Sequence, residues 1–285
     1  MQESNLNETI AGVVVLYNSG VEVINNINTY IDQIKKLYVI DNSDSPNLDL
    51  VNQLQSFRSI VYIPNIGNYG VADALNIAAH RAINDNFTYL LTMDDDSRAP
   101  SNMISSMIDF INNYANPEEL GIVSVDHSGS LSADAYKEVN LTMTSGNLLS
   151  LHAYQKVGPF NKNLFIDHVD HEYNLRLYLN KFKIIEITNL KLNHKLGTVK
   201  KFNLYTLNIS YISHNPVRLY YFIRNAIYIS RTYFNINPKV CLFLLQLSVK
   251  EIVKSSLLED HKYLRLMYIK KALSAGWQGR LGKLS

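Results

Sequence analysis

Four apolar runs, each stopping abruptly at a polar cluster, limit the folds open to this chain. Ile10 to Leu16 runs into Tyr17-Asn18-Ser19-Gly20, and Leu37 to Ile40 into Asp41-Asn42-Ser43. Ile60 to Ile63 runs into Asn65-Ile66-Gly67-Asn68-Tyr69-Gly70, and Phe87 to Met93 into Asp94-Asp95-Asp96-Ser97. Short unbroken runs rich in Val and Ile read as strands buried on both faces. Helical patterns separate them: one with Ile24, Ile27, Ile31 and Ile34 on a single face, a shorter one from Leu48 to Phe57, and the alanine-rich Val71 to Asn84. Alternating strands and helices imply parallel pairing under a helical cover, with the ligand crevice beyond the carboxyl ends of the strands. Asn18, Asp41, Asn65 with Gly67 and Gly70, and Asp94 to Asp96 therefore line one rim, as a nucleotide-type ligand with a metal would require.

The three carboxylates Asp94, Asp95 and Asp96 repel one another, and burial would raise their pKa values further. A cation among them relieves this, and hard oxygen ligands suit Mg²⁺ or Mn²⁺. The plainer reading is a solvated acidic turn, with Ser97 or Asp96 capping a helix that Pro100 begins. Gly67-Asn68-Tyr69-Gly70 is neither a dinucleotide fingerprint nor a phosphate loop; two glycines there make a tight turn or permit close backbone approach.

Further along, Ser101 to Tyr114 is predicted as an amphipathic helix, Gly121 to Val125 as a strand, and Thr142 to Leu151 as an extended segment bent at Gly146. Phe165-Ile166-Asp167-His168-Val169-Asp170-His171-Glu172 precedes a helix to about Leu179, in which Glu172 faces Arg176 at i+4. Lys183 to Ile187 is a strand, followed by Asn193-His194. Leu219 to Tyr233 reads as a helix with Arg218, Arg224 and Arg231 spaced to approach a phosphate, and Pro238 opens one or two amphipathic helices.

A formal net charge of +2 argues against an electrostatic nucleic-acid binder. The charge is uneven: from Asn235 onward there are nine Lys/Arg against three Asp/Glu, and before it eighteen against twenty-two. A basic tail on an acidic body points to an anionic surface. One cysteine, Cys241, excludes an intrachain disulfide framework. The polar start lacks an apolar signal region and no apolar run is long enough to span a bilayer, so the expected location is cytoplasmic, with peripheral contact at the inner face of the cell membrane.

These motifs together resemble the inverting family 2 glycosyltransferases of GT-A fold, in particular the bacterial rhamnosyltransferase-like branch. Val13-Val14-Val15-Leu16-Tyr17-Asn18, Val39-Ile40-Asp41-Asn42-Ser43 and Asn65 to Gly70 carry the first half. Met93-Asp94-Asp95-Asp96-Ser97 is similar to the metal motif, with Asp95 where the branch often has Gln. Phe165 to Glu172 and Asn215-Pro216-Val217-Arg218-Leu219-Tyr220-Tyr221 with Arg224-Asn225 carry the second half, with Asn215 where Ser is usual.

The resemblance implies an α/β fold, a mostly parallel Rossmann-like sheet flanked by helices with a C-terminal helical extension. Its expected parts are a leader at 1–9, a nucleotide-sugar-binding part at 10–125, an acceptor and catalytic part at 126–212, and the extension at 213–285. It assigns Tyr17, Asn18, Asp41, Asn65 and Gly67 to the base pocket, Asp94, Asp95, Arg218 and Arg224 to the rest of the donor, and Asp94, Asp96 and His194 to a Mg²⁺ or Mn²⁺ ion. Asp170 becomes the general base. The implied donor is dTDP-L-rhamnose, and the acceptor a glycan or polyprenyl-diphosphate-linked sugar in bacterial surface polysaccharide such as O-antigen or capsule. A UDP-hexose or UDP-galactofuranose donor is the nearest alternative. Two other classes are a non-catalytic nucleotide-sugar-binding scaffold and a phosphohydrolase using the Asp94/Asp96 pair. The phosphohydrolase motif ends a first strand, whereas this one ends a fourth.

Overall fold

The computed structural model describes residues 9–127, 134–194, 199–204, 207–213 and 215–284. Residues 1–8 of the expected leader lie outside the described residues.

The predicted strand–helix alternation is present from the start. β1 (Ile10–Leu16), β2 (Lys36–Asp41) and β3 (Ile60–Pro64) alternate with α1 (Val23–Ile27), α2 (Leu48–Gln55) and α3 (Val71–Asn84) before β4 (Tyr89–Asp94). These four strands pair in parallel in the order β3-β2-β1-β4. Their carboxyl ends share one edge, so Asn18, Asp41, Asn65 and Asp94 do lie along one rim.

Three segments depart from the expectations. The helix predicted over Ile24 to Ile34 breaks after Ile27 and resumes only as a 3₁₀ turn at Ile31–Gln33, although Ile27, Ile31 and Ile34 are all buried. Asn26, Asn28 and Thr29 are poor helix formers whose side chains compete for backbone groups; Asn26 Nδ2 donates to the Asp95 carbonyl (2.7 Å), and Thr29 Oγ1 to the Asn26 carbonyl (2.7 Å). Ser97 caps no helix: it belongs to β5 (Ser97–Arg98), and α4 (Met103–Asn113) starts later, at Asn102. The buried Ser97 hydroxyl accepts instead from Ser145 (2.8 Å).

After β6 (Leu120–Val125) and β7 (Tyr136–Glu138), the segment expected to be extended to Leu151 yields only β8 (Asn147–Ser150). Ser150 then caps α5 (Leu151–Val157), accepting from the Ala153 amide. β8 is antiparallel to both β4 and β6 and lies between them. α6 (Val169–Leu179) and β9 (Lys183–Ile187) follow, β9 pairing parallel to β6 and antiparallel to β7. The described strands so form one eight-stranded mixed sheet, β3-β2-β1-β4-β8-β6-β9-β7. β10 (Asn193–His194) pairs with β5, and β11 (Val199–Leu204) with β12 (Leu207–Ile212).

Two cores flank the sheet. Ala72, Ala74, Leu75, Ala78, Ala79 and Ala82 of α3 pack on one face with Tyr173, Leu175 and Leu177 of α6; small side chains let α3 lie close to the strands. The other face is covered by Val23 and Ile27 with Met103, Ile104 and Met107 of α4. α7 (Pro216–Tyr233), α8 (Pro238–Leu258) and α9 (Lys262–Gln278) complete the chain. Ala226, Ile229 and Tyr233 of α7 enter the first core with Val240, Cys241 and Leu244 of α8, while Ile269, Ala272 and Ala275 of α9 pack near Leu219, Tyr220 and Ile223.

Candidate active site

The rim is a hydrogen-bonded set and not a row of independent polar tips. Asp41, only 3% exposed, accepts from the Ser43 amide (2.9 Å) and from the Tyr62 hydroxyl (2.8 Å). Burial, and then the bond to Asp41, push the Tyr62 pKa up, so Tyr62 stays a donor. Asn65 Nδ2 donates to Asn42 Oδ1 (2.8 Å), and Asn42 Nδ2 to the Gly70 carbonyl (3.0 Å). Ser43 Oγ accepts from the Asn18 amide (2.7 Å), with Asn18 itself in the left-handed region at φ 54°. Tyr17 is half exposed above this set.

Gly67 and Gly70 hold φ of 119° and 89°. At Gly70 a Cβ would sit 2.4 Å from the Phe165 carbonyl oxygen, the same oxygen that accepts from the Val71 amide (2.9 Å). The glycine is thus required by close approach of the 163–168 loop.

That loop is strained. Phe165, Asp167 and His168 all have positive φ (69°, 59°, 59°), and Phe165, with ψ −65°, forms a γ-turn closed by the Ile166 amide on the Leu164 carbonyl (2.9 Å). Such strain survives only when surrounding structure over-determines it, and it gathers at functional sites. Here Asn225 of α7 does so: its Nδ2 donates to the carbonyls of Leu164 (3.0 Å), Ile166 (2.8 Å) and Asp167 (2.8 Å). Sequence reasoning gave Asn225 no role; the signal was an amide on an otherwise apolar helix face, where it is fully buried.

The loop delivers two acids to the mouth. Asp167 pairs with half-exposed Arg218, which donates from Nε (3.1 Å) and Nη2 (3.0 Å) to Oδ1. Asp167 first, and Asp94 more weakly, raise the Arg218 pKa, so its charge lies within the field of the β4 carboxylates. Asp170, in the first turn of α6, is oriented by the His171 amide, which donates to Oδ1 (2.8 Å). It lines a narrow pocket with Thr92, Thr144, Asn147, Tyr173 and Asn174. Thr92 is two residues before Asp94, and the 142–147 turn ties the two sides: Asn174 Nδ2 donates to the Thr142 carbonyl (2.8 Å), Thr92 Oγ1 to the Thr144 carbonyl (2.5 Å), and the Asp94 amide to Ser145 Oγ (3.0 Å). The 142–147 turn thus links the start of the α6 helix to the tip of β4.

Not every predicted contact reaches this mouth. Arg224 is 1% exposed and committed elsewhere: Nη1 donates to the Gly282 carbonyl (2.6 Å), Nη2 to those of Leu164 (2.9 Å) and Asn163 (3.3 Å), and Nε to Asn225 Oδ1 (2.9 Å). Its guanidinium also lies over the Tyr221 ring (4.8 Å). It is a clasp inside the fold and not a phosphate contact. Arg231 donates to the Trp277 carbonyl of α9, away from the rim. Asp95 accepts from Ser19 Oγ (2.5 Å), which ties it to the loop after β1; burial raises its pKa, with Asp96 adding to the effect. Glu172 pairs with Arg176 (2.9 Å) as expected and accepts from Tyr233 (2.7 Å), at the edge of a separate cavity of about 600 Å³ beside Asp73, His80 and Lys162.

For a metal, the β5–β10 ladder sets the His194 backbone opposite Ser97, the residue after Asp96; the His194 side chain lies outside the described residues. Among the described residues no three His, Cys, Asp or Glu side chains are gathered as a metal cage. The carboxylates of Asp94 and Asp96 are the hard oxygen donors that suit Mg²⁺ or Mn²⁺.

The sequence model of glycosyl transferase family 2 matches residues 13–121, from the first base-pocket strand through the acidic turn. The chain carries a family 2 glycosyltransferase domain. The glycosyltransferase is 27% identical to the dTDP-rhamnosyl transferase RfbF of Shigella flexneri, over 97% of each chain. Its fold is GT-A: it superposes on TarS 1–349 of S. aureus with a TM-score of 0.61 at 14% identity, covering 94% of this chain and 80% of that one. On GalNAc-T7, solved with UDP, GalNAc and Mn²⁺, the TM-score is 0.63 at 12% identity, and the glycosyltransferase spans 57% of that chain.

Below Asp170, buried His168 and His171 meet Nδ1 to Nδ1 at 2.7 Å, so one nitrogen donates and the other must be unprotonated. Burial, and then His171, hold the His168 pKa well below 6.5. A depressed histidine pKa means that the unfolded chain binds the extra proton, so this contribution is complete above about pH 6.5 and is lost as pH falls. The unfolding midpoint should drop between pH 7 and pH 5.5, and His168→Gln should flatten that slope; thermal melts across the interval measure it.

Proposed function

We propose that this glycosyltransferase is a metal-dependent inverting enzyme that moves L-rhamnose from dTDP-L-rhamnose to a glycan or polyprenyl-diphosphate-linked acceptor in bacterial surface polysaccharide synthesis. The observation that carries the chemistry is Asp170, presented at the start of α6 in a pocket whose wall includes Thr92 of the acid-tipped strand. The end-to-end similarity to a dTDP-rhamnosyl transferase supports the donor. A lipid-linked acceptor would bring the protein to the inner face of the cell membrane.

In this reading the base of the donor lies against Tyr17, Asn18, Asp41, Asn65 and the Gly67 turn. Asp41 accepts the pyrimidine N3–H, its orientation preset by Ser43 and Tyr62. Asp94, Asp96 and His194 would hold the divalent ion, which supplies neutralising charge at the diphosphate. Arg218, anchored by Asp167, faces the same charge. Asp170 takes the proton of the acceptor hydroxyl as its oxygen bonds to the anomeric carbon. The bond from that carbon to the diphosphate breaks in the same displacement, with inversion and no covalent enzyme intermediate.

Thermal shift and turnover with a panel of nucleotide sugars test this. dTDP-L-rhamnose with Mn²⁺ should raise the melting temperature and support transfer, and EDTA should remove both effects. Stabilisation by UDP-hexose or UDP-galactofuranose alone would replace the donor. Donor binding without turnover on any lipid-linked or glycan acceptor would favour a scaffold.

A further inference from the structure

The outward faces of α8 and α9 do not look like ordinary solvated helix surface. Along α8, Leu242, Phe243, Val249, Val253 and Leu257 are all exposed, at spacings that keep them on one stripe opposite the buried Val240, Cys241, Leu244 and Ser248. Along α9, Tyr263 (86% exposed), Leu266, Leu273 and Trp277 (69%) repeat the pattern opposite Ile269, Ala272 and Ala275. The buried faces of both helices pack with α7, α8 in the first core and α9 beside Leu219, Tyr220 and Ile223, so each stripe is left on its helix's outer side.

The charges around it are predominantly positive, Asp260 at the turn being the exposed acid. Lys239, Lys250, Lys262, Lys270 and Lys271 are exposed along these helices. Of the acids on the hairpin, Glu251 is paired with Lys254 (2.6 Å), and Glu259 is buried against Arg265. Among the described residues no helix is long and apolar enough to cross a membrane. Bulky apolar side chains with a tryptophan, interleaved with lysines long enough to reach past them, match an interfacial helix on an anionic bilayer. The hairpin is also fastened to the donor rim, since Lys283 Nζ, just past α9, donates to the Asn68 carbonyl (3.1 Å).

We infer that the outer face of the α8–α9 hairpin docks on an anionic lipid surface, with Val253, Leu257, Leu266 and Trp277 entering the interface and the lysines meeting headgroup phosphates. For its purpose, presentation of a lipid-linked alcohol to Asp170, the inference rests on the reading above. Its test needs neither donor nor acceptor, so the two can fail separately.

Trp277 is the chain's single tryptophan and therefore reports from within the surface. Full-length protein is mixed with vesicles of phosphatidylcholine alone or with phosphatidylglycerol, and both co-sedimentation and tryptophan emission are followed. Binding with a blue shift on the anionic vesicles, weakened by salt, is expected. The double variants Leu257→Glu/Val253→Glu and Lys262→Glu/Lys270→Glu should each weaken it by roughly tenfold or more, with an unchanged melting temperature and circular-dichroism spectrum as proof of folding. Absence of binding, equal binding to neutral vesicles, or a blue shift that grows with protein concentration alone would overturn the inference; the last would assign the face to a second copy of the chain.

Discussion

Asp170→Asn should lower kcat by roughly 10²–10⁴-fold, the usual worth of a general base, while leaving donor binding intact. The change is nearly isosteric, and an amide oxygen can still accept from the His171 amide that orients the side chain. What is lost is the capacity to take the acceptor's proton. Donor binding should persist because the base and diphosphate contacts come from β1 to β4 and from Arg218, not from α6. Thermal shift with dTDP-L-rhamnose separates the two effects, and Asp96→Ala is the useful contrast: it should lose metal-dependent donor stabilisation together with turnover. Full turnover by Asp170→Asn would take the residue out of the mechanism.

Arg224→Met should produce the largest loss of stability of any single change at the motif residues. Methionine keeps much of the volume but removes the donors that reach the carbonyls of Asn163, Leu164 and Gly282, of which the Leu164 bond is fully buried. Each hydrogen bond to a charged donor is worth about 1.5–3 kcal/mol, and because the three are not additive a total of roughly 3–5 kcal/mol is expected. At about 2–4 °C per kcal/mol for a chain of this size the melting temperature should fall by on the order of 10 °C. The Leu164 carbonyl is shared with Asn225, which pins the γ-turn beside Asp167 and Asp170. Activity at temperatures well below the melt should therefore fall too, whereas a purely surface arginine would leave both unchanged. Urea or thermal unfolding with parallel rate measurements decides it.

These outcomes bear on what the sequence could reveal. The central strands and the rim were legible because unbroken Val/Ile runs have few other uses and because parallel topology fixes which ends carry ligands. The pairing of Glu172 with Arg176 was legible from helical spacing. The Ile24–Ile34 stretch misled because its apolar period is helical while its Asn and Thr residues favour local side-chain bonds. Ser97 misled because a serine before proline has the composition of a helix start, whereas its partner, Ser145, is distant in sequence. Arg224 and Arg218 could not be told apart by spacing: the same charge type six residues apart serves once inside the fold and once at its mouth. Position in three dimensions, fixed by Leu164 and Gly282 on one side and Asp167 on the other, decides between them.

The placement of β8 has a dynamic consequence. A strand from beyond the family 2 match lies within the sheet that the match begins, bonded to β4 on one edge and β6 on the other. The two halves of the sheet consequently have no seam about which to swing. Many enzymes squeeze two lobes around a substrate; here such a motion would tear a continuous ladder. In the proposed reaction, sealing a bound donor from water would fall to peptide segments along the crest, and the spacing between leaving group and proton acceptor would be set when the polypeptide folds, before any substrate arrives.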